Sequence, residues 1–138
     1  MSLSAKSEAV KEGAGDEARR LGHRYVGTEH VLLAVSRVPD SKVSEILVDL
    51  GLAPEVLQSQ VDAFVISSGS AGAEEEIPVS PRAQRAIDRA SEEATALGAV
   101  EAEPEHLLLA LAQDEDGVAA RVLEVFGIDY ASIRRFLI

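Results

Sequence analysis

Thr28-Glu29-His30-Val31-Leu32-Leu33-Ala34 is written a second time, with small changes, as Pro104-Glu105-His106-Leu107-Leu108-Leu109-Ala110, so that His30 and His106 define an offset of 76 positions. The same offset aligns Glu17-Ala18 with Glu93-Ala94, Leu21-Gly22 with Leu97-Gly98, Asp40 with Asp116, Leu47 with Leu123 and Gly51 with Gly127. Apolar pairs such as Ile46 and Val122, Leu50 and Phe126, Leu57 and Ile133, and Val61 and Leu137 keep the register. A frame held without a gap from Ser4/Ser80 to Val61/Leu137 is an internal duplication, and a duplication dictates the architecture. One unit alone is short for a stable core, so the two are expected to pack into a single domain spanning 1–138.

The spacing within each unit predicts four helices and an all-α fold. In the second unit, Ser80 caps and Pro81 takes the first helical position; Ala83, Ala86, Ile87, Ala90, Ala94 and Leu97 then recur on one face until Gly98. A short helix opens near Pro104 with Leu107, Leu108 and Leu111. Asp116 is expected to cap a third carrying Ala119, Val122, Leu123 and Phe126, and a fourth begins near Asp129 with Ile133 and Leu137. Aromatic residues are 4% of the chain and Trp is absent, so the core has to be aliphatic. In the first unit Gly13 and Gly15 fall inside the first helix, each costing about 1 kcal/mol relative to Ala, which predicts an irregular or frayed point. The units are read as about 3–65 and about 80–138. The intervening segment, about 66–79, contains Ser67-Ser68-Gly69-Ser70-Ala71-Gly72-Ala73-Glu74-Glu75-Glu76, the composition of a flexible exposed linker.

A formal net charge of −11 argues against nucleic acid, whose phosphates require concentrated Lys and Arg. No run approaches the roughly 18 apolar residues of a membrane span, and the first residues lack a signal-peptide core, so the expected location is cytoplasmic. There is no Cys, no Gly-x-x-x-x-Gly-Lys-Ser/Thr phosphate loop, no His-Glu-x-x-His and no Gly-x-Ser-x-Gly. The reading is therefore a binding module with no catalytic residue, no metal and no cofactor of its own.

The remaining constellation is Gly27-Thr28-Glu29-His30 and its counterpart Glu103-Pro104-Glu105-His106, each opening a short apolar helix. The start of a helix exposes unpaired N–H groups and the positive end of its dipole, which suits phosphate. A carboxylate in the same turn suits a guanidinium. A ligand carrying both, such as phosphoarginine, matches the pair. A plainer reading carries more weight on the residues alone: the acids favour the helix dipole and the histidines cap or pack.

Glu17 to Ala34, which contains Leu21-Gly22-His23 and Tyr25-Val26-Gly27-Thr28-Glu29-His30, resembles the repeat signature of Clp ATPase N-terminal domains, particularly the ClpC type. Ser80-Pro81-Arg82-Ala83 and Val118-Ala119-Ala120-Arg121-Val122-Leu123 ahead of Gly127 resemble it too. The resemblance implies two four-helix repeats related by a pseudo-two-fold axis. It implies a domain that recruits adaptor proteins and protein substrates to a hexameric AAA+ ring, which unfolds them into a partner peptidase in regulated proteolysis. ATP and Mg would belong to ATPase modules outside this chain, as would the contact with the peptidase. The alternative is a stand-alone regulatory or decoy protein without those modules. In ClpC-type members the Glu of each motif helps bind phosphoarginine on marked substrates, which by position implies Gly27, Thr28 and Glu29 in the first unit and Glu105 in the second. The second unit departs from the pattern: Glu103 replaces Gly, Pro104 replaces Thr, and Ala99-Val100 follows Gly98 where Gly-His is usual. Glu103 adds negative charge and Pro104 removes a donor, so the first motif is expected to be the stronger phosphate site.

Overall fold

A serine starts the longest helix of each unit. In the computed structural model, which describes residues 2–64 and 77–138, Ser4 Oγ accepts a hydrogen bond from Ser7 N (3.2 Å) at the head of α1 (Ala5–Arg20). Ser80 Oγ accepts from Ala83 N (3.1 Å) at the head of α5 (Pro81–Ala96). The first unit continues with α2 (Thr28–Ser36), α3 (Lys42–Asp49) and α4 (Pro54–Phe64). The second continues with α6 (Pro104–Gln113), α7 (Val118–Val125) and α8 (Tyr130–Arg135). Gly22, Gly51, Gly98 and Gly127 all have positive φ just past helix ends, and they form two pairs at the repeat offset. The described residues are thus two copies of one four-helix order, with no strand longer than an isolated bridge.

The two short apolar helices form the centre. Every residue of α2 is buried, and Leu107, Leu108, Leu109 and Leu111 of α6 are at most 1% exposed. α1 lies on α2, α5 lies on α6, and α2 and α6 touch each other. Each fully buried Leu contributes on the order of 1.5–3 kcal/mol, so this central layer rather than helix propensity holds the domain together.

Three expectations are revised or refined. α1 runs unbroken through Gly13 and Gly15. A Cβ on Gly13 would lie 3.4 Å from the Cβ of Ala34, so the glycine sits where α1 approaches α2 closely; packing against α2 offsets its propensity cost. Asp116 does not cap α7. Gly117 holds the N-cap position without a side chain, and the capping oxygen comes from the other unit: Thr28 Oγ1 accepts from Ala119 N at 3.2 Å. Finally, the last residues assigned to the linker are part of the folded body: Ile77 packs on the core and Val79 pairs with Val26. The rest of the linker assignment falls on residues 65–76, outside the described residues.

The units clasp each other reciprocally. Leu3 bridges Ala102 and Val26 bridges Val79, both in parallel. Ser4 N donates to Ala102 O (3.0 Å) and Ala102 N to Ser2 O (3.1 Å), while Ser80 N donates to Val26 O (2.8 Å) and Val26 N to Pro78 O (2.8 Å). These are the same two bonds exchanged through the repeat: the residues before each long helix pair with the other unit's loop between its first and second helices.

Candidate functional site

In the first motif, the Gly27 N–H donates to His30 Nδ1 at 2.8 Å. That bond leaves the proton of a neutral His30 on Nε2, which lies 2.7 Å from His23 Nδ1. His30 is 0% exposed, and burial, reinforced by His23 and Arg20, pushes its pKa down to about 4. Tyr25 stacks on His23 (ring centres 5.9 Å apart, planes 8° apart) and meets His30 edge-on. His23, Tyr25 and His30 therefore form a closed three-ring cluster behind the N-terminus of α2.

The proposed ligand residues of this motif are turned inward. Thr28 and Glu29 are each 3% exposed. The Thr28 hydroxyl is engaged by Ala119 N. The Glu29 carboxylate folds over Gly27 into the space that a Cβ there would need. Burial raises the Glu29 pKa, opposed by its own backbone N–H and by His23.

The second motif repeats the backbone arrangement with an open environment. The Glu103 N–H donates to His106 Nδ1 at 2.8 Å. His106 is 4% exposed, and burial lowers its pKa against the opposing pull of Glu105, Glu103 and Glu93. Ala99 stands where His23 does in the first unit and Glu101 where Tyr25 does, so the ring cluster is reduced to His106 alone. A depression of about 390 Å³ lies there, lined by Lys42 of α3, Glu101, Glu103, Glu105, Ala99 and His106 among others. Glu105 is half-buried at its edge. Gly27, Thr28 and Glu29 are thus brought together at the start of α2, and Glu105 stands apart from them at the start of α6.

Sequence reasoning passed over two features. Glu17 and Glu93, an identical pair at the repeat offset, are both buried. Glu17 pairs with Arg20 (2.9 Å) and Arg37, tying α1 to the end of α2; Glu93 accepts from Tyr130 Oη (2.6 Å), tying α5 to α8. Their identity across the repeat was the available signal. The second feature is a groove of about 570 Å³ floored by Ala5, Ala9, Val10, Gly13, Ala34 and Val38. At its repeat-equivalent place the second unit carries Arg82, Arg85 and Arg89, with Arg82 Nη1 donating to both Asp114 oxygens (2.8 and 3.0 Å). Among the described residues, no three His, Cys, Asp or Glu side chains converge as a metal site, and no helix is long and apolar enough to cross a membrane.

Comparison with known proteins places these features in context. Residues 2–125, and in a second match 79–137, fit the family model of the Clp repeat N-terminal domain. The chain is 41% identical over 121 residues to the chloroplastic chaperone protein ClpC of Pisum sativum, which is 88% of this chain and 13% of that protein. Its fold is similar to the N-terminal domain of the chaperone ClpD from Arabidopsis thaliana (TM-score 0.77, 21% identity, covering 99% of this chain and 97% of that one). It is also similar to the N-domain of ClpV in complex with a VipB peptide (TM-score 0.77, 21% identity, 96% and 82% covered).

Proposed function

Since the chain belongs to the Clp repeat N-terminal domain family, we propose that it docks adaptor proteins and protein substrates for a Clp-type AAA+ unfoldase in regulated proteolysis, with the cytoplasm as its setting. A Clp N-terminal domain is the non-catalytic part of such a machine; ATP, Mg and the partner peptidase would engage modules outside this chain, which spans 13% of its ClpC relative's length. The fold it shares with a ClpV N-domain that holds a peptide supports docking of a peptide segment here.

The observation that carries the reading is the contrast between the motifs. Glu105 borders an open depression at the N-terminus of α6, whereas Glu29 lies folded over Gly27 and Thr28 is committed to α7. In the proposed mode Glu105 receives an arginine side chain of the docked segment. Gly27, Thr28 and Glu29 serve a ligand only when the Glu29 side chain swings outward. Glu103 and the donor-less Pro104 disfavour a phosphate beside Glu105, so unmodified arginine is expected to bind at least as well as phosphoarginine. Calorimetric titration with arginine and phosphoarginine peptides tests this. Glu105→Ala should weaken binding roughly tenfold, as expected for one charged hydrogen bond, and Glu29→Ala should leave it within about twofold. The opposite ranking, with phosphoarginine preferred, would return the site to the first motif.

A further inference from the structure

We propose that the depression beside His106 is a subsite for an imidazole, the side chain of a histidine on a docked partner. This rests on the docking reading and deepens it: the arginine is received by Glu105 at the edge of the depression and the imidazole by His106 within it. The first unit displays the occupant. There His30, held through Nδ1 by Gly27 N, has its Nε2 2.7 Å from the imidazole of His23.

The second unit keeps the backbone of that arrangement and lacks the second ring. Gly98 has φ +75° against +73° for Gly22. Ala99 N donates to Ala94 O at 2.9 Å where His23 N donates to Ala18 O at 2.8 Å. His106 Nδ1 accepts from Glu103 N at 2.8 Å, the distance at which His30 Nδ1 accepts from Gly27 N. With Nδ1 accepting, a neutral His106 carries its proton on Nε2, and Nε2 has no hydrogen-bond partner among the described residues. A side chain 4% exposed therefore presents an unused donor at a depression of about 390 Å³ whose wall is Ala99, the residue at the position of His23.

The surrounding groups select the ligand. An ammonium or guanidinium has no acceptor for the Nε2–H. An anion accepts but meets the three carboxylates of Glu101, Glu103 and Glu105 around the same opening, against the single ammonium of Lys42. A neutral imidazole accepts from His106 with one nitrogen and offers the N–H of the other to a carboxylate. It is planar, as the ring of His23 is, and fits against the apolar edges of Leu97 and Leu137, which also line the depression.

The test uses the whole 138-residue chain and 4-methylimidazole at a pH where that molecule is neutral, with the His106 ring followed by NMR. Saturable shifts centred on His106, Ala99 and Glu101 are expected. Ala99→His supplies an internal ring as in the first unit, so it should weaken binding at least tenfold and raise the unfolding midpoint. His106→Phe should abolish binding, and because it also removes the Nδ1 cap, Ala99→His is the deciding variant. Acetamide and guanidinium should shift His106 less at equal concentration. Non-saturable shifts, undiminished binding in Ala99→His, or equal response to acetamide would overturn the proposal. Arginine peptides are titrated separately, so failure of the imidazole subsite and failure of peptide docking are distinguishable.

Discussion

His30 shows how one residue type serves two purposes. As the third residue of α2, it caps the helix through Nδ1 where Glu or Gln would stand in a capping box, and it meets the buried His23 ring through Nε2. Its pKa of about 4 against an ordinary 6.5 has a definite consequence for stability. The unfolded chain takes up a proton near 6.5 and the folded chain only near 4. The stability contributed by neutral His30 is therefore complete above pH 6.5 and is lost as pH falls from 6.5 towards 4, at up to about 1.4 kcal/mol per pH unit. Glu29 acts the other way, since its raised pKa makes the folded state more tolerant of protonation. His30→Gln keeps an acceptor for Gly27 N and removes the titration. Urea unfolding at pH 7.5, 6 and 5 should show a shallower loss of stability in the variant; parallel pH profiles would exclude His30 as the titrating group.

At the level of the elements, the repeat frame located all eight helices among the described residues because apolar spacing, Ser caps and terminal glycines are local signals. What it missed is non-local. The spacing made Asp116 a plausible cap for α7 because nothing in the neighbouring sequence says that Thr28, 91 residues away, would supply the oxygen. Glu29 read as an available carboxylate because burial by one's own helix start is invisible in a motif. The cap also shows how the units have diverged. In the first, Ser41 caps α3 by accepting from Val43 N (3.2 Å). At the equivalent place the second has Gly117, and Thr28, whose own equivalent is Pro104, reaches across instead. Thr28→Val should thus cost about 1 kcal/mol, the usual value of an N-cap. Gly117→Ser should recover most of that loss when combined with Thr28→Val but add little in the parent, where a Cβ at 117 would stand 3.2 Å from Thr28 Oγ1. A double-mutant cycle by chemical denaturation measures the coupling; simple additivity would show that the Thr28 bond contributes nothing.

On the scale of the whole molecule, the reciprocal bridges determine how the two units respond to stress. Each unit donates its leading segment to the other's loop, α2 and α6 share the central layer, and Thr28 fixes the start of α7. A unit that opened alone would strip bonds from its partner and expose the apolar faces of both central helices. The domain should therefore unfold as one cooperative unit in spite of its repeat sequence, unlike a linear repeat array in which each unit contacts only its neighbours. Leu33→Ala in α2 and Leu109→Ala in α6, both 0% exposed, should each cost about 2–5 kcal/mol and should lower the melting midpoint of both units together. Thermal unfolding followed by residue-resolved NMR distinguishes the outcomes: coincident midpoints for amides in α1 and α5 in every variant fit a single unit, whereas a variant that melts its own half first would show that the clasp is too weak to couple them.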